Sequence, residues 1–148
     1  MKIIAEIGLN HCGSIKRGQK LLEDLIKTSV DAITFQVREN DFYDQTHPRK
    51  YELPISFYKE ATELIHNEKK LIGLAISQTE KVGTFTEMGI DFWKTLSWDL
   101  YNTNLQYLLQ KNDKKVFVST GVSSMEEILK VSKELNKIEF IHTQLNYS

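Results

Sequence analysis

Six short apolar segments alternate with amphipathic ones at intervals of about 25 residues, and this alternation limits the fold more than any other feature. Apolar, β-branched segments of this length are typical of strands buried on both faces, whereas the amphipathic segments are typical of helices. Such alternation predicts a parallel α/β architecture. The predicted strands are 2–8, 31–37, 71–76, 91–94, 116–120 and 139–142.

Two parallel architectures compete, a doubly wound open sheet and a (β/α)8 barrel. No G-x-G-x-x-G segment, which a dinucleotide-binding sheet would need, is present. Polar residues at the carboxyl ends of the strands favour the barrel, because barrel active sites lie there. A complete barrel takes about 250 residues. We therefore predict one domain, residues 1–148, that forms an incomplete (β/α)8 TIM-type barrel with about six parallel strands. The polar strand-end residues are Glu6, Gln36, Lys94, Ser97, Ser119, Thr120 and His142.

The first strand carries a carboxylate, Glu6, within an otherwise apolar run. A buried carboxylate is unfavourable by several kcal/mol unless it is paired or protonated, and either state is useful at an active site. The strand leads into a polar loop with Asn10 and His11, so these groups are also candidates for the site. The alternative is an edge strand in which Glu6 faces water.

Charge and cysteine content exclude several classes of protein. Nineteen Lys and Arg against 20 Asp and Glu give a net charge of −1 without a basic stripe, which argues against a nucleic-acid partner. No apolar run approaches the ~18–20 residues of a membrane span, and no signal peptide precedes the first strand. The single cysteine, Cys12, excludes an intrachain disulfide. These features predict a cytoplasmic protein.

Capping residues predict where two helices begin, and residue composition predicts one long connection. Ser14 is a candidate N-cap for the first helix, and Ser123 with Glu126 has the spacing of a capping box. The helix after that box is predicted to bury Met125, Ile128, Leu129 and Leu135. The connection 38–53 is polar, and loops of that length are usually functional or mobile.

Several motifs resemble the sialic acid synthase (N-acetylneuraminate synthase) family. They are I-I-A-E-I-G-x-N-H-x-G at 3–13, D-A-x-x-F-Q at 31–36, W-K-x-x-S at 93–97, V-S-T-G-x-x-S-x-E-E-I at 118–128 and I-H-T at 141–143. The resemblance implies a (β/α)8 barrel, usually followed by a small antifreeze-like domain that covers the partner's active site in a homodimer. It also implies condensation of phosphoenolpyruvate with N-acetylmannosamine or a related amino sugar, in carbohydrate biosynthesis.

The resemblance also implies site residues. Glu6 matches the catalytic glutamate, and Gln36 matches a residue at the sugar end. Asp99 stands where the family has a glutamate. The full predicted substrate-binding set is Asn10, Gln36, Lys94, Ser97, Asp99, Ser119 and His142, with Lys94, Ser97 and Ser119 near the phosphoenolpyruvate.

Besides Asp99, the chain departs from the family at four aligned positions. Thr34 replaces a lysine that holds phosphoenolpyruvate, Ala75 replaces a threonine, Leu145 replaces an asparagine, and Trp98 replaces a glycine, where it should crowd the phosphate. Trp93 and Trp98 are interpreted as packing residues. Lys94 is then the one cation predicted for the site.

The family uses a divalent metal, Mn²⁺ or Mg²⁺, held by histidines on strands seven and eight. Both strands and the antifreeze-like domain are expected to be missing here, so no metal ligand is assigned. We therefore expect the chain alone to be inactive, and expect a homo-oligomer or a partner chain that completes the barrel. The competing hypothesis is a truncated, non-catalytic homologue that binds a small anion or a partner protein.

Overall fold

The computed structural model describes residues 1–45, 50–135 and 137–144. Six strands alternate with helices in the order that the sequence predicts. The strands are β1 (Ile4–Gly8), β2 (Ala32–Val37), β3 (Leu71–Ile76), β4 (Phe92–Thr95), β5 (Lys115–Ser119) and β6 (Ile138–Ile141). The helices are α1 (Ile15–Ile26), α2 (Asn40–Gln45), α3 (Ile55–Asn67), α4 (Val82–Met88), α5 (Thr103–Gln110) and α6 (Met125–Glu134), with 3₁₀ turns at Thr79–Lys81 and Ser97–Asp99.

All neighbouring strands pair in parallel, in the order β1-β2-β3-β4-β5-β6. Sequential order in a parallel sheet, with a helix in each connection, is the arrangement of a (β/α)8 barrel rather than of a doubly wound sheet. The predicted incomplete barrel is thus confirmed. A register shift in the β1–β2 ladder lies between Glu6 and Gly8, next to the predicted site.

The main hydrophobic core lies between the helices and the outer face of the sheet. Every second strand residue points outward, so Ile33, Leu74 and Trp93 are fully buried against the helix layer. Tyr58 of α3 packs edge-to-face on Phe35 and on Phe85, with ring centroids 5.9 and 5.3 Å apart. This packing fixes the strands, and therefore the direction in which their inner-face side chains point.

The inner face changes in character along the strands. Near the amino ends it is apolar, where the ring of Phe92 lies over Gly73 and meets Phe117 edge-to-face at 5.6 Å between centroids. A Cβ on Gly73 would lie 2.2 Å from the Phe92 ring, so only glycine leaves room for it. Near the carboxyl ends, Glu6 and Lys94 replace these aromatic groups, and the polar groups therefore gather at one end of the barrel.

Several local predictions are corrected. The 38–53 connection contains a helix, α2, that polar composition concealed. The capping box is one residue later than predicted: the Ser124 hydroxyl accepts from the Glu127 amide, and the Glu127 carboxylate accepts from the Ser124 amide. Of the side chains predicted to be buried after this box, Leu135 is buried and Ile128 is partly buried, whereas Met125 and Leu129 are exposed. The predicted Ser14 cap of α1 is confirmed, with Ser14 accepting from the Arg17 amide.

Within the described residues, β1 and β6 each have a strand neighbour on one side only. Ile3 and Ile4 are consequently exposed, and the expectation that β1 is buried on both faces is wrong for its first residues. No helix in the described ranges is both long enough and apolar enough to cross a membrane.

Candidate active site

A cavity of about 210 Å³ opens at the carboxyl ends of the strands. Its volume suits a small organic ion rather than a single water molecule. We call it the strand-end cavity. It is lined by Glu6, Gln36, Arg38, Lys94, Leu96, Ser97, Trp98, Ser119 and Thr143.

A three-residue network forms one side of the strand-end cavity. The Lys94 ammonium on β4 donates to Oε2 of Glu6 on β1 at 2.5 Å, and the Gln36 amide on β2 donates to Oε1 of Glu6 at 2.5 Å. Both carboxylate oxygens of Glu6 therefore have a partner. The Glu6 side chain is 32% exposed, so it faces the open inner side of the arc rather than lying buried as the sequence suggested. The Glu6 carboxylate is therefore held by its hydrogen bonds to Lys94 and Gln36 rather than by burial.

Two serines line the same cavity. The hydroxyl of Ser97, in the turn after β4, accepts from the Gly121 amide at 3.2 Å, which ties the loop after β4 to the loop after β5. Ser119 ends β5 and is 2% exposed, and its hydroxyl has no hydrogen-bond partner among the described residues. A buried hydroxyl without a partner is unfavourable by about 1–3 kcal/mol, and is typical of a site that a polar ligand completes.

Arg38 is a second cation at the cavity, and the sequence analysis missed it. It directly follows β2, where the chain was interpreted as the start of a polar connection. Its Nε and Nη2 donate to the two carboxylate oxygens of Glu39 at 2.9 and 2.7 Å. This pairing raises the pKa of Arg38 and lowers the pKa of Glu39. In the sequence, only its position directly after a predicted strand could have indicated that Arg38 belongs to the site.

A neighbouring cavity of about 350 Å³, the side cavity, contains Asp99. Its carboxylate accepts from the Ser77 hydroxyl at 2.8 Å. Trp98, between the two cavities, is 70% exposed and lines both, so its interpretation as a packing residue is wrong, whereas Trp93 is buried as expected. The side cavity is lined by Arg38, Glu39, Ser77, Leu96, Trp98, Asp99 and Asn102.

The remaining predicted residues lie elsewhere. Asn10 is exposed in the loop after β1, and His142 is exposed beyond β6, where Thr143 lines the cavity instead. Thr34 is buried on the inner face, with its hydroxyl donating to the Ala5 carbonyl at 3.5 Å. Ala75 is buried on β3, opposite Gln36 of β2. Leu145 lies outside the described residues.

The described residues do not provide a site for the divalent metal that the resemblance implies. No group of three or more His, Cys, Asp or Glu is placed to hold a metal ion within residues 1–45, 50–135 and 137–144.

The comparisons with known proteins agree with this geometry. The profile of the NeuB family matches residues 8–147, which is nearly the whole chain. The chain belongs to the NeuB family. The chain is 31% identical over 139 residues to an uncharacterized protein, MJ1065, of Methanocaldococcus jannaschii, covering 90% of this chain and 41% of that protein.

Two relatives have informative names. The chain is 29% identical over 150 residues to the N,N'-diacetyllegionaminic acid synthase of Campylobacter jejuni, covering 85% of this chain and 44% of the enzyme. The sialic acid synthetase of Leptospira borgpetersenii, solved in complex with citrate, superposes with a TM-score of 0.85 and 21% identity over 98% of this chain and 54% of that one. The chain thus spans less than half the length of the curated relatives it matches, and has the fold of a sialic-acid-synthase-like protein.

Proposed function

We propose that this chain supplies the phosphoenolpyruvate-binding part of a nonulosonic acid synthase. The observation that carries the proposal is the Glu6–Lys94 ion pair, which lies in the strand-end cavity of a NeuB-family chain. The named relatives include a legionaminic acid synthase, so the substrate class proposed here is phosphoenolpyruvate with an N-acetylated amino sugar.

In the proposed complex, phosphoenolpyruvate occupies the strand-end cavity. The Lys94 ammonium and the hydroxyls of Ser97 and Ser119 bind its phosphate, because a compact cation and directional donors suit phosphate oxygens. The amino sugar occupies the side cavity, beside the exposed face of Trp98 and near Asp99. The two cavities share Leu96 and Trp98 as walls, so the two substrates would be adjacent.

The proposed reaction forms one carbon–carbon bond at C3, forms one carbon–oxygen bond from water to C2, and breaks the carbon–oxygen bond between C2 and phosphate. C3 of phosphoenolpyruvate attacks the aldehyde carbon of the open-chain sugar, and the aldehyde oxygen takes up a proton. Water then attacks the cationic C2 and loses one proton. The resulting C2 hydroxyl loses its second proton as the ketone forms, and the phosphate leaves with the electrons of its bond to C2. The products are a nine-carbon 2-keto acid and inorganic phosphate.

Glu6 is placed to move a proton in this sequence. Its carboxylate lies at the cavity between Lys94 and Gln36, within reach of a ligand held by Lys94. A positioned carboxylate contributes typically 10²–10⁴-fold as a general acid or base. In the proposed mechanism, Glu6 exchanges a proton with the attacking water or the sugar oxygen, and its contact with Lys94 positions its carboxylate.

The Lys94→Met variant tests the proposal. A charge-assisted hydrogen bond contributes about 1.5–3 kcal/mol, so the affinity for phosphoenolpyruvate should fall about 10- to 100-fold. Isothermal titration calorimetry of the purified protein measures this. Lys115→Met is the matched control, because Lys115 also lies on the inner face but at the amino end of β5, paired with Glu139 at 2.6 Å.

The outcomes separate the proposal from its rival. Loss of binding in Lys94→Met but not in Lys115→Met supports the site, and phosphate release that depends on an added amino sugar supports the synthase. The assay is repeated on the assembly of this chain with a chain that completes the barrel. If that assembly binds phosphoenolpyruvate but releases no phosphate, the result would favour a non-catalytic anion-binding homologue. No binding by the unmodified protein would refute the proposal.

A further inference from the structure

Arg38 faces the strand-end cavity and is not accounted for by the proposed contacts to phosphate. Its side chain is 19% exposed, and it borders both the strand-end cavity and the side cavity. It follows the last residue of β2, Val37, so the carboxyl end of that strand carries it to the cavity.

The Arg38 guanidinium is held in a fixed orientation. Glu39 binds its Nε and Nη2, and the guanidinium carbon lies 4.1 Å from the centroid of the Phe42 ring on α2. The backbone amide of Arg38 donates to the Tyr43 hydroxyl at 3.1 Å. Arg38 Nη1 makes no hydrogen bond with any other residue in the part of the chain that the structure describes. A planar guanidinium held by a carboxylate on one edge and an aromatic face beneath retains donors for an incoming anion.

The charge at the cavity explains why a second cation matters. Lys94 is paired with Glu6, so this pair together brings no net positive charge. Thr34, on the inner face of β2, has a neutral side chain, and its hydroxyl already donates a hydrogen bond to the Ala5 carbonyl. A ligand with both a phosphate and a carboxylate group needs further cationic hydrogen-bond donors, because desolvated anions are costly when uncompensated. Among the described residues Arg38 is the other cation that lines this cavity; Glu39 offsets its charge, but Nη1 is left to donate.

Ser119 independently indicates a ligand at the same place. Its hydroxyl is buried, lines the strand-end cavity and has no partner among the described residues. A phosphate oxygen would accept from it and remove the penalty of an unpaired buried donor.

We propose that Arg38 is a second anion-binding residue of this cavity, and that its free guanidinium edge binds the phosphate of phosphoenolpyruvate together with Lys94 and Ser119. This rests on the proposed function. Arg38 lies four residues after Thr34, beyond the end of β2, and the Glu39 carboxylate orients its guanidinium at the cavity.

The test uses the fluorescence of Trp98, which is exposed at the cavity, to follow titration with phosphoenolpyruvate and, separately, with inorganic phosphate. The variants are Arg38→Met, Arg38→Lys and Lys94→Met, with Lys115→Met as control and Trp98→Phe to assign the signal. Arg38→Met should weaken binding of both ligands at least tenfold, and should reduce the dependence of affinity on salt. Arg38→Lys should recover part of the affinity, because lysine keeps the charge but lacks the planar fork.

The results distinguish the two proposals. If the unmodified protein binds phosphoenolpyruvate and Lys94→Met does not, while Arg38→Met binds as tightly as the unmodified protein, the role of Arg38 is refuted and the proposed function stands. If the unmodified protein binds neither ligand, both fail. Thermal melts of each variant detect unfolding, and should Arg38→Met fail to fold, equal affinity of a folded Arg38→Lys and the unmodified protein would refute the contact between the guanidinium edge and phosphate.

Discussion

Glu6 and Lys94 are 88 residues apart in the chain, and their side chains meet with Nζ 2.5 Å from Oε2. They lie on β1 and β4, which are separated by two strands in the sheet. Curvature of the arc and the inward direction of both side chains bring them together across its inner side. The pair links the first strand to the middle of the sheet at the end where the cavity opens.

Glu6→Gln should separate binding from turnover. The substitution removes one negative charge beside Lys94 but keeps a group of similar shape, so phosphoenolpyruvate should bind as tightly as before or more tightly. Turnover is measured on the assembly of this chain with a chain that completes the barrel. It should fall at least ~100-fold, because the amide of the substituted side chain cannot act as a general acid or base as the glutamate carboxylate does. Calorimetry measures the first effect and a phosphate-release assay the second. A loss of affinity as large as that of Lys94→Met would show that Glu6 only positions the lysine.

Gly13→Ala should destabilise the protein. Gly13 has φ = +72°, and a Cβ there would lie 1.7 Å from the Lys50 carbonyl oxygen. A left-handed conformation alone costs an L-residue about 1–2 kcal/mol, and the steric overlap adds to this. The free energy of unfolding should fall by more than ~2 kcal/mol, measured by urea denaturation.

Gly83→Ala is the matched control for that experiment. Gly83 lies in α4, and a Cβ there would meet nothing within 4 Å. Alanine in a helix should leave stability unchanged or raise it by up to ~1 kcal/mol. Equal destabilisation by both substitutions would contradict the close approach of the loop after β1 to Lys50.

Stability should fall as the pH drops below about 6.5, the ordinary pKa of histidine, because of His11. His11 is fully buried, and its Nδ1 accepts from the Gly13 amide at 2.9 Å. Burial lowers the pKa of His11, an effect that the Gly8 carbonyl partly offsets. The unfolded chain therefore binds a proton at pH values where folded His11 does not, so the contribution is full above 6.5 and is lost toward the folded pKa.

Two measurements check this prediction. Urea denaturation at pH 7.5 and pH 5.5 should show the lower unfolding free energy at pH 5.5. The imidazole resonances of His11, assigned by nuclear magnetic resonance, should titrate with a midpoint below 6.5. A midpoint above that value would contradict burial of a neutral ring.

The chain should associate with a second copy or with a chain that completes the barrel. In the described structure β1 and β6 each pair on one side only, and Ile4 and Phe140 at these edges are exposed. Unpaired strand edges with apolar side chains favour association. Size-exclusion chromatography with light scattering should show species larger than one chain. A monomer with a sharp melt above ~60 °C would contradict the prediction, because that lies beyond the middle of the mesophile range.

Phe140→Lys tests whether the β6 edge mediates this association. A lysine on an edge strand opposes edge-to-edge pairing, so the variant should shift the distribution toward the monomer. Leu64→Lys on α3 is the control, since Leu64 is exposed on a helix away from either edge. Equal shifts in both variants would show that general surface charge, rather than the edge, controls association.

Much of the fold could be predicted because the pattern of apolar residues along each strand matches the residues that the sheet buries. The β3 bounds, Leu71–Ile76, were predicted to the residue, since a continuous apolar run is buried on both sides in a parallel sheet. The α2 helix was missed because a short polar helix has little apolar period. The capping box was misplaced by one residue because Ser123 and Ser124 are adjacent and both have an acidic residue three positions later.

Some residues of the candidate site could likewise be predicted from the sequence, and others could not. Glu6, Gln36 and Lys94 could be found because each is a polar residue inside an apolar strand, and strand direction alone brings them to one end of a barrel. Arg38 could not, because a polar residue after a strand looks like any loop residue until tertiary contacts with Glu39 and Phe42 fix it at the cavity. Asn10 and His142 show the converse, since residues beside a strand end can still turn away from the cavity.

The parallel β/α order, the family motifs and the strand positions that carry polar groups could be predicted from the amino-acid sequence, because these depend on local periodicity and residue type. The tertiary structure was needed to show which of those groups meet. It paired Glu6 with Lys94, left the Ser119 hydroxyl without a partner, exposed Trp98 and brought Arg38 to the cavity. These outcomes depend on the curvature of the sheet and on distances between residues far apart in the chain, which no local pattern encodes.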